Sequence, residues 1–280
     1  MFEDYVRLKK DEFTDLLYIS ITLGVLFSIT CTRFSSGNLS LLSTFVVFFL
    51  FLFVLLSLRL LFMKAIAYRN GFGFNMKMTY FDRYSFRFYD RVSHIMDGKP
   101  AKIVIPTVKM NKGVPMPFVS MLIYIFSLGF FIFPCLWRYN CKKIPHLYSR
   151  IKQKYEKLEG ASFGIGVSNY RISKVFFGGF LFYFIFGLFL KTFEPIIGSN
   201  FTTWFMFALY WIAFTTLVPI LGTEGYEFFK RGRFGWISAI TVLILGMIGT
   251  LIFPSIATIL IVTAISTFLV ILVMLYKKMM

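Results

Sequence analysis

Histidine is almost missing from this chain: there are two in 280 residues, His94 and His146, set in polar segments and not at ligand spacing. Cysteine is nearly as scarce. The three present, Cys31, Cys135 and Cys141, form no C-x-x-C pair and make an odd number, so neither a zinc knuckle nor a disulfide framework is indicated and all three read as apolar packing residues. Acids are few, 13 against 30 Lys and Arg, and charged residues together make up 15% of the chain where a soluble domain carries about 25%. A basic leader is absent too. Met1 to Asp15 is polar with five acids, so the first apolar run is expected to be a retained span and not a removed signal peptide.

What replaces the missing charge is apolar and contiguous. Hydrophobic residues reach 58%, and no charged residue interrupts 16–32, 34–58, 113–137, 195–223 or 234–276; a sixth run, 175–190, lies between Lys174 and Lys191. A helix crosses the hydrocarbon core with about 20 apolar residues. Most of these runs are long enough, and 234–276 is long enough for two crossings, with Gly249 and Pro254 marking a turn.

The distribution of the basic residues then sets the topology. Ten lie in 64–112 and nine in 138–174, against one in 32–38 and one at Lys191. Basic loops belong on the cytoplasmic side, yet a crossing by 113–137 would put the two richest segments on opposite faces. A re-entrant 113–137, helped by Pro115, Pro117 and Pro134, puts both inside; irregular backbone at that depth must then be covered by protein. The expected fold is an α-helical multi-pass membrane protein, a single membrane domain over 1–280 with both termini cytoplasmic. It has six spans, near 16–32, 39–62, 175–191, 200–222, 235–253 and 255–276, and the re-entrant segment. The basic inner face is expected to meet anionic headgroups; nucleic acid is a poorer fit, because the charge flanks spans and no nucleic-acid motif accompanies it.

The insert 64–112 alternates. Phe72, Phe74, Met76, Met78 and Tyr80 share one face, Phe86 and Phe88 follow, and Lys102-Ile103-Val104-Ile105 comes after an Asp97-Gly98 turn, so a small cytoplasmic antiparallel sheet is expected. The basic segment 138–174 reads as a short helix around 146–158 and a glycine-rich stretch. Gly164-Ile165-Gly166 has no strand–turn–helix context for nucleotide binding.

Three strings in this order resemble the site-2 protease family of intramembrane zinc metalloproteases. Met63 to Gly71 fits the family's "HK…yG" stretch without a gap. Lys174 to Tyr183 fits "R.alAGP.AN", with Gly178-Gly179 in place of Ala-Gly. Thr216 to Gly225 fits "NLLPIPPLDG" in length and keeps Leu217, Pro219, Ile220 and Gly225. The resemblance runs over roughly 40–280 and implies a membrane fold with a re-entrant segment and a small sheet. Members hold zinc through the two His of H-E-x-x-H and the Asp of L-D-G, and the intervening Glu activates water. At those positions stand Arg59, Leu60 and Met63, with Glu224 for the Asp; the Asn of "AGP.AN" is Tyr183. An arginine, a leucine and a thioether cannot hold a divalent cation, so the resemblance implies a degenerate member with no metal and no cofactor.

Arg59 has two readings. It snorkels to the nearby interface, or it pairs with Glu224, since a mid-span arginine costs about 2.5–3.5 kcal/mol on insertion scales. Glu224 is otherwise a solvated helix-end carboxylate. Gly178, Gly179, Gly246 and Gly249 read as helix-packing contacts, and Trp204, Trp211 and Trp236 as anchors or packing residues. Function then has three readings. The first is a non-catalytic, site-2-protease-like protein that binds or shields transmembrane segments of client proteins. The second is a small-solute transporter or channel. The third is an active hydrolase with a non-standard centre such as Glu224 with Glu227.

Overall fold

The computed structural model describes residues 5–34, 40–78, 80–81, 114–129, 131–132, 137–144, 167–218, 224–252 and 264. Their order is α1 (Lys10–Phe34), α2 (Leu41–Arg69), β1 (Phe72–Met78), β2 (Tyr80–Phe81), β3 (Val114–Pro115), α3 (Met116–Phe126) and β4 (Trp137–Lys143), then α4 (Val167–Thr192), α5 (Glu194–Ile197), α6 (Ser199–Leu217), α7 (Glu224–Arg231) and α8 (Arg233–Ile252). Four helices, α1, α2, α4 and α8, are long and apolar enough to cross a membrane, the pattern of an α-helical integral membrane protein. Residues 255–276, expected as a further span, lie outside the described residues apart from position 264.

The helices outrun the apolar segments that announce them. The second span was expected over 39–62, yet α2 continues to Arg69, because the apolar run marks lipid thickness and not the end of backbone hydrogen bonding. Asn70 donates its amide to Ile66 and Ala67, and Gly71 follows at φ 81°, a left-handed stop that suits glycine. At the other end of the chain α8 runs through Gly249 to Ile252; Gly249 is helical and does not mark a turn, while Pro254 lies outside the described residues.

Helix α2 packs on α1 and α4, and α4 packs on α6 and α8. Aromatic rings fill the contacts: Phe51 stacks on Phe205 at 4.3 Å, Phe27 on Phe48 at 6.1 Å and Phe180 on Phe228 at 5.8 Å. Gly178 and Gly179 bring α4 onto α2. A Cβ at Gly178 would lie 2.3 Å from Ile66 Cδ1, and one at Gly179 2.6 Å from Met63 Sδ. Leu42, Leu50, Val54 and Leu58 lie exposed along the outer side of α2, a surface that lipid would cover.

β1 alternates as its sequence suggests, with Phe72, Phe74 and Met76 buried. Its described partner is β4, from beyond α3, in antiparallel register from Phe72 with Lys143 to Met78 with Trp137. The partners expected within the insert, Phe86, Phe88 and Lys102 to Ile105, lie outside the described residues, as do the Asp97-Gly98 turn and the helix expected around 146–158. β2 pairs with β3, Tyr80 opposite Pro115. The strands at the two ends of the 116–136 segment therefore pair with β1 and β2, which are adjacent in the chain.

Between those ends α3 packs along α1. Tyr124 OH and Thr30 Oγ1 lie 3.1 Å apart, and Arg33 Nη1 donates to Leu128 O at 2.6 Å. Leu128 (φ 52°) and Gly129 (φ 81°) form the tight stop of α3, where the Gly129 amide donates to Tyr124 O at 2.8 Å. The opposite end of α1 is held to β1 by Glu12 Oε1, which accepts the Met76 amide at 3.0 Å. Glu12 and Arg33 are about 30 Å apart along the helix at ~1.5 Å per residue. Past α3, Trp211 Nε1 donates to Ile132 O at 2.6 Å, which satisfies a carbonyl outside regular structure.

Candidate functional site: a buried cation cluster on α2

Arg59 is 1% exposed and does not snorkel. Its planar fork of donors is divided among three elements. Nη2 donates to Glu224 Oε1 at the start of α7, Nε to Gly179 O on α4 at 3.2 Å, and Nη1 to Tyr139 OH on β4 at 2.9 Å. Two rings lie against the guanidinium, Tyr183 at 4.7 Å and Phe180 at 5.5 Å. Glu224 is 3% exposed, and its carboxylate is an internal counter-ion where a solvated helix-end acid was the plainer expectation.

The loop that aims Glu224 is tightly built. A Cβ on Gly225 would lie 2.3 Å from Leu217 O and 2.7 Å from Val218 O, so only glycine lets the first turn of α7 approach the end of α6. Leu217 O also accepts Trp236 Nε1 at 2.9 Å, which quenches a carbonyl at the C-terminus of α6. Trp236 and Trp211 thus act here as hydrogen-bond donors as well as packing residues. Glu227 turns elsewhere, to Arg231 at 3.0 Å, so the two acids proposed for a non-standard centre face different cations.

Of the other singled-out positions, Leu60 and Met63 are buried in the core, Tyr183 is fully buried over Arg59, and Pro219 lies outside the described residues, as do His94 and His146. The donor set does not fit zinc. A permanent cation, a leucine and a thioether stand beside a single carboxylate, and among the described residues no three His, Cys, Asp or Glu come together.

A second cation five residues along α2 went unnoticed in the sequence. Lys64, 1% exposed, forms an ion pair of 2.5 Å with Glu12 of α1 and donates to Arg7 O at 2.8 Å. Glu12 accepts three donors, from Lys64, the Lys9 amide at 2.9 Å and the Met76 amide. Tyr139 was missed as well. It stacks on Phe74 at 4.5 Å, and burial holds its phenol well above the usual pKa against the pull of the Arg59 charge, so it stays neutral.

The arrangement is a neutralised, hydrogen-bonded cation in a packed interior. It can fix the relative positions of α2, α4, α7 and β4; among the described residues it presents no open coordination position and no nucleophile beside a base. Comparison with protein-family models, curated proteins and solved structures returns no match.

Proposed function

We propose that the chain is a non-catalytic, site-2-protease-like membrane protein that binds or shields transmembrane segments of client proteins, as a chaperone or assembly factor. It has six spans, both termini inside, and 113–137 as a re-entrant segment against an anionic inner leaflet. The observation that carries the reading is the convergence of Arg59, Met63, Gly179, Tyr183 and Glu224. The resemblance puts all five in the metal-site strings, and they gather around one buried ion pair. Pairing of β3 with β2 and of β4 with β1 supports re-entry, since both ends of the segment then sit at one surface. Losing a metal while keeping its scaffold leaves an acid needing a counter-charge, and an arginine supplies one that never deprotonates.

Two measurements test this. Cysteines placed at Lys112 and Arg138 should react with an impermeant thiol reagent from the same side of the membrane; labelling from opposite sides ends the topology. Cells lacking the chain should lose intact multi-pass membrane proteins that co-purify with it, and its purified form should carry far less than one zinc. If instead a membrane protein is clipped only when the chain is present and uncut in its absence, the chain is a protease.

A further inference from the structure

The two buried ion pairs meet on one rung of the sheet. In β1 the Met76 amide donates to Glu12 Oε1, the acid that neutralises Lys64. Directly across the ladder from Met76 stands Tyr139 of β4, and its hydroxyl accepts from Arg59, the cation that Glu224 neutralises. Arg59 and Lys64 both belong to α2. The path is therefore closed: from α2 through Arg59 and Tyr139 to β4, across the rung to β1, and back through Met76, Glu12 and Lys64 to α2. We infer that the Met76–Tyr139 rung is a mechanical coupling, clamped from either side by a buried ion pair, through which α1 and the inner end of the 116–136 segment move together.

Three features give the coupling its stiffness. Each anchor is charge-assisted, which makes its hydrogen bonds stronger than neutral ones. Each anchor is buried, so water cannot replace a broken bond at low cost. The rung itself is packed, with Tyr139 stacked on Phe74 and flanked by Phe176 at 6.0 Å. A one-residue slip of β4 on β1 would take Tyr139 off Arg59 and turn it to the opposite face of the sheet. The segment from residues 7 to 9, tied to the same anchor by the Arg7 carbonyl and the Lys9 amide, is then the part of the inner surface that feels any shift of the clamp.

Coupling is measured by an effect at the end that a substitution does not touch. Hydrogen exchange on the full chain in lipid nanodiscs reads it amide by amide. Tyr139→Phe removes one hydroxyl from β4 at the Arg59 end. It should speed exchange of the Met76 amide and of residues 9–13 by about ten- to a hundredfold. Glu12→Gln acts at the other end and should speed exchange across 137–143, on the strand beyond the one that Glu12 bonds, by a similar factor. In the double variant the two effects should fall well short of their product. If each substitution quickens only its own strand, or if the double variant shows the simple product, the clamp is two independent anchors and the inference fails. Should Glu12→Gln not fold, the response of Met76 and residues 9–13 to Tyr139→Phe decides alone.

Discussion

The two cations on α2 are solved differently by the fold. Arg59 lies where three helices and a strand converge, and its partners are side chains and one carbonyl drawn from α4, α7 and β4. Lys64 lies five residues further along α2, and the hydrogen bonds around its pair with Glu12 come from backbone: Arg7 O on the lysine, and the amides of Lys9 and Met76 on the acid. The flat guanidinium serves the first place because it can send divergent donors to several elements while two rings pack against it. The compact ammonium serves the second, where one acid already gathers the neighbouring amides. One helix thus carries a junction and a clasp, and the choice of arginine or lysine follows from the number of elements to be joined.

The comparison breaks most readily at the junction. Arg59→Leu removes the buried counter-ion of Glu224, and should cost about 3–5 kcal/mol of stability in detergent or nanodisc unfolding. Arg59→Leu with Glu224→Gln should cost much less than that single change, and equal losses would mean that the pair is not the dominant interaction. Next comes Gly225→Ala, which pushes a methyl into the Leu217 and Val218 carbonyls and should cost about 1–3 kcal/mol. Gly178→Ala meets only the flexible tip of Ile66 and should cost less; a reversal of that order in thermal melts would show that the α7 turn is slack.

Arg59→Lys sharpens the contrast. Charge is kept but the fork is lost, so the Gly179 and Tyr139 contacts cannot both survive, and a loss on the order of 1–2 kcal/mol is expected. An Arg59→Lys variant as stable as the parent would remove the distinction between junction and clasp. The smallest effect belongs to the partly exposed pair Lys191–Glu194, 2.7 Å apart, which joins the last turn of α4 to the start of α5. Glu194→Gln should change stability by less than about 0.5 kcal/mol and less still in high salt, which sets the scale against which the buried pairs are judged.

The junction was partly legible in the sequence and the clasp was not. Arg59 and Glu224 occupy matching places in two strings whose order and spacing carry a resemblance, so their approach could be expected before any coordinates. Lys64 reads as the first cation of a basic loop and Glu12 as one of five acids in a polar start; no local pattern links residues that far apart. The strand character of Phe72 to Met78 shows in its alternation. Its partner does not, because Trp137 to Lys143 reads as the opening of a basic segment and the pairing closes a long excursion through α3. Helix ends were not legible from hydropathy: the span expected to end at 62 continues to Arg69, where Gly71 supplies a backbone stop.

The tip of α3 has a consequence for the order of synthesis. The Leu128 carbonyl there is quenched by Arg33, and β4, which follows the segment, pairs with β1, so these two partners precede it in the chain. A ribosome delivers α1, α2 and β1 first, at about 5–20 residues per second. When Met116 emerges, the guanidinium that caps the tip and the strand that pairs with β4 already exist. Among the described residues, the Ile132 carbonyl must wait for Trp211 and the Tyr139 ring for Phe176, both of which come later in the chain. The segment can therefore settle against a finished template and be sealed from the far side afterwards, and a chain cut before α6 should already show Arg33 and Leu128 in contact.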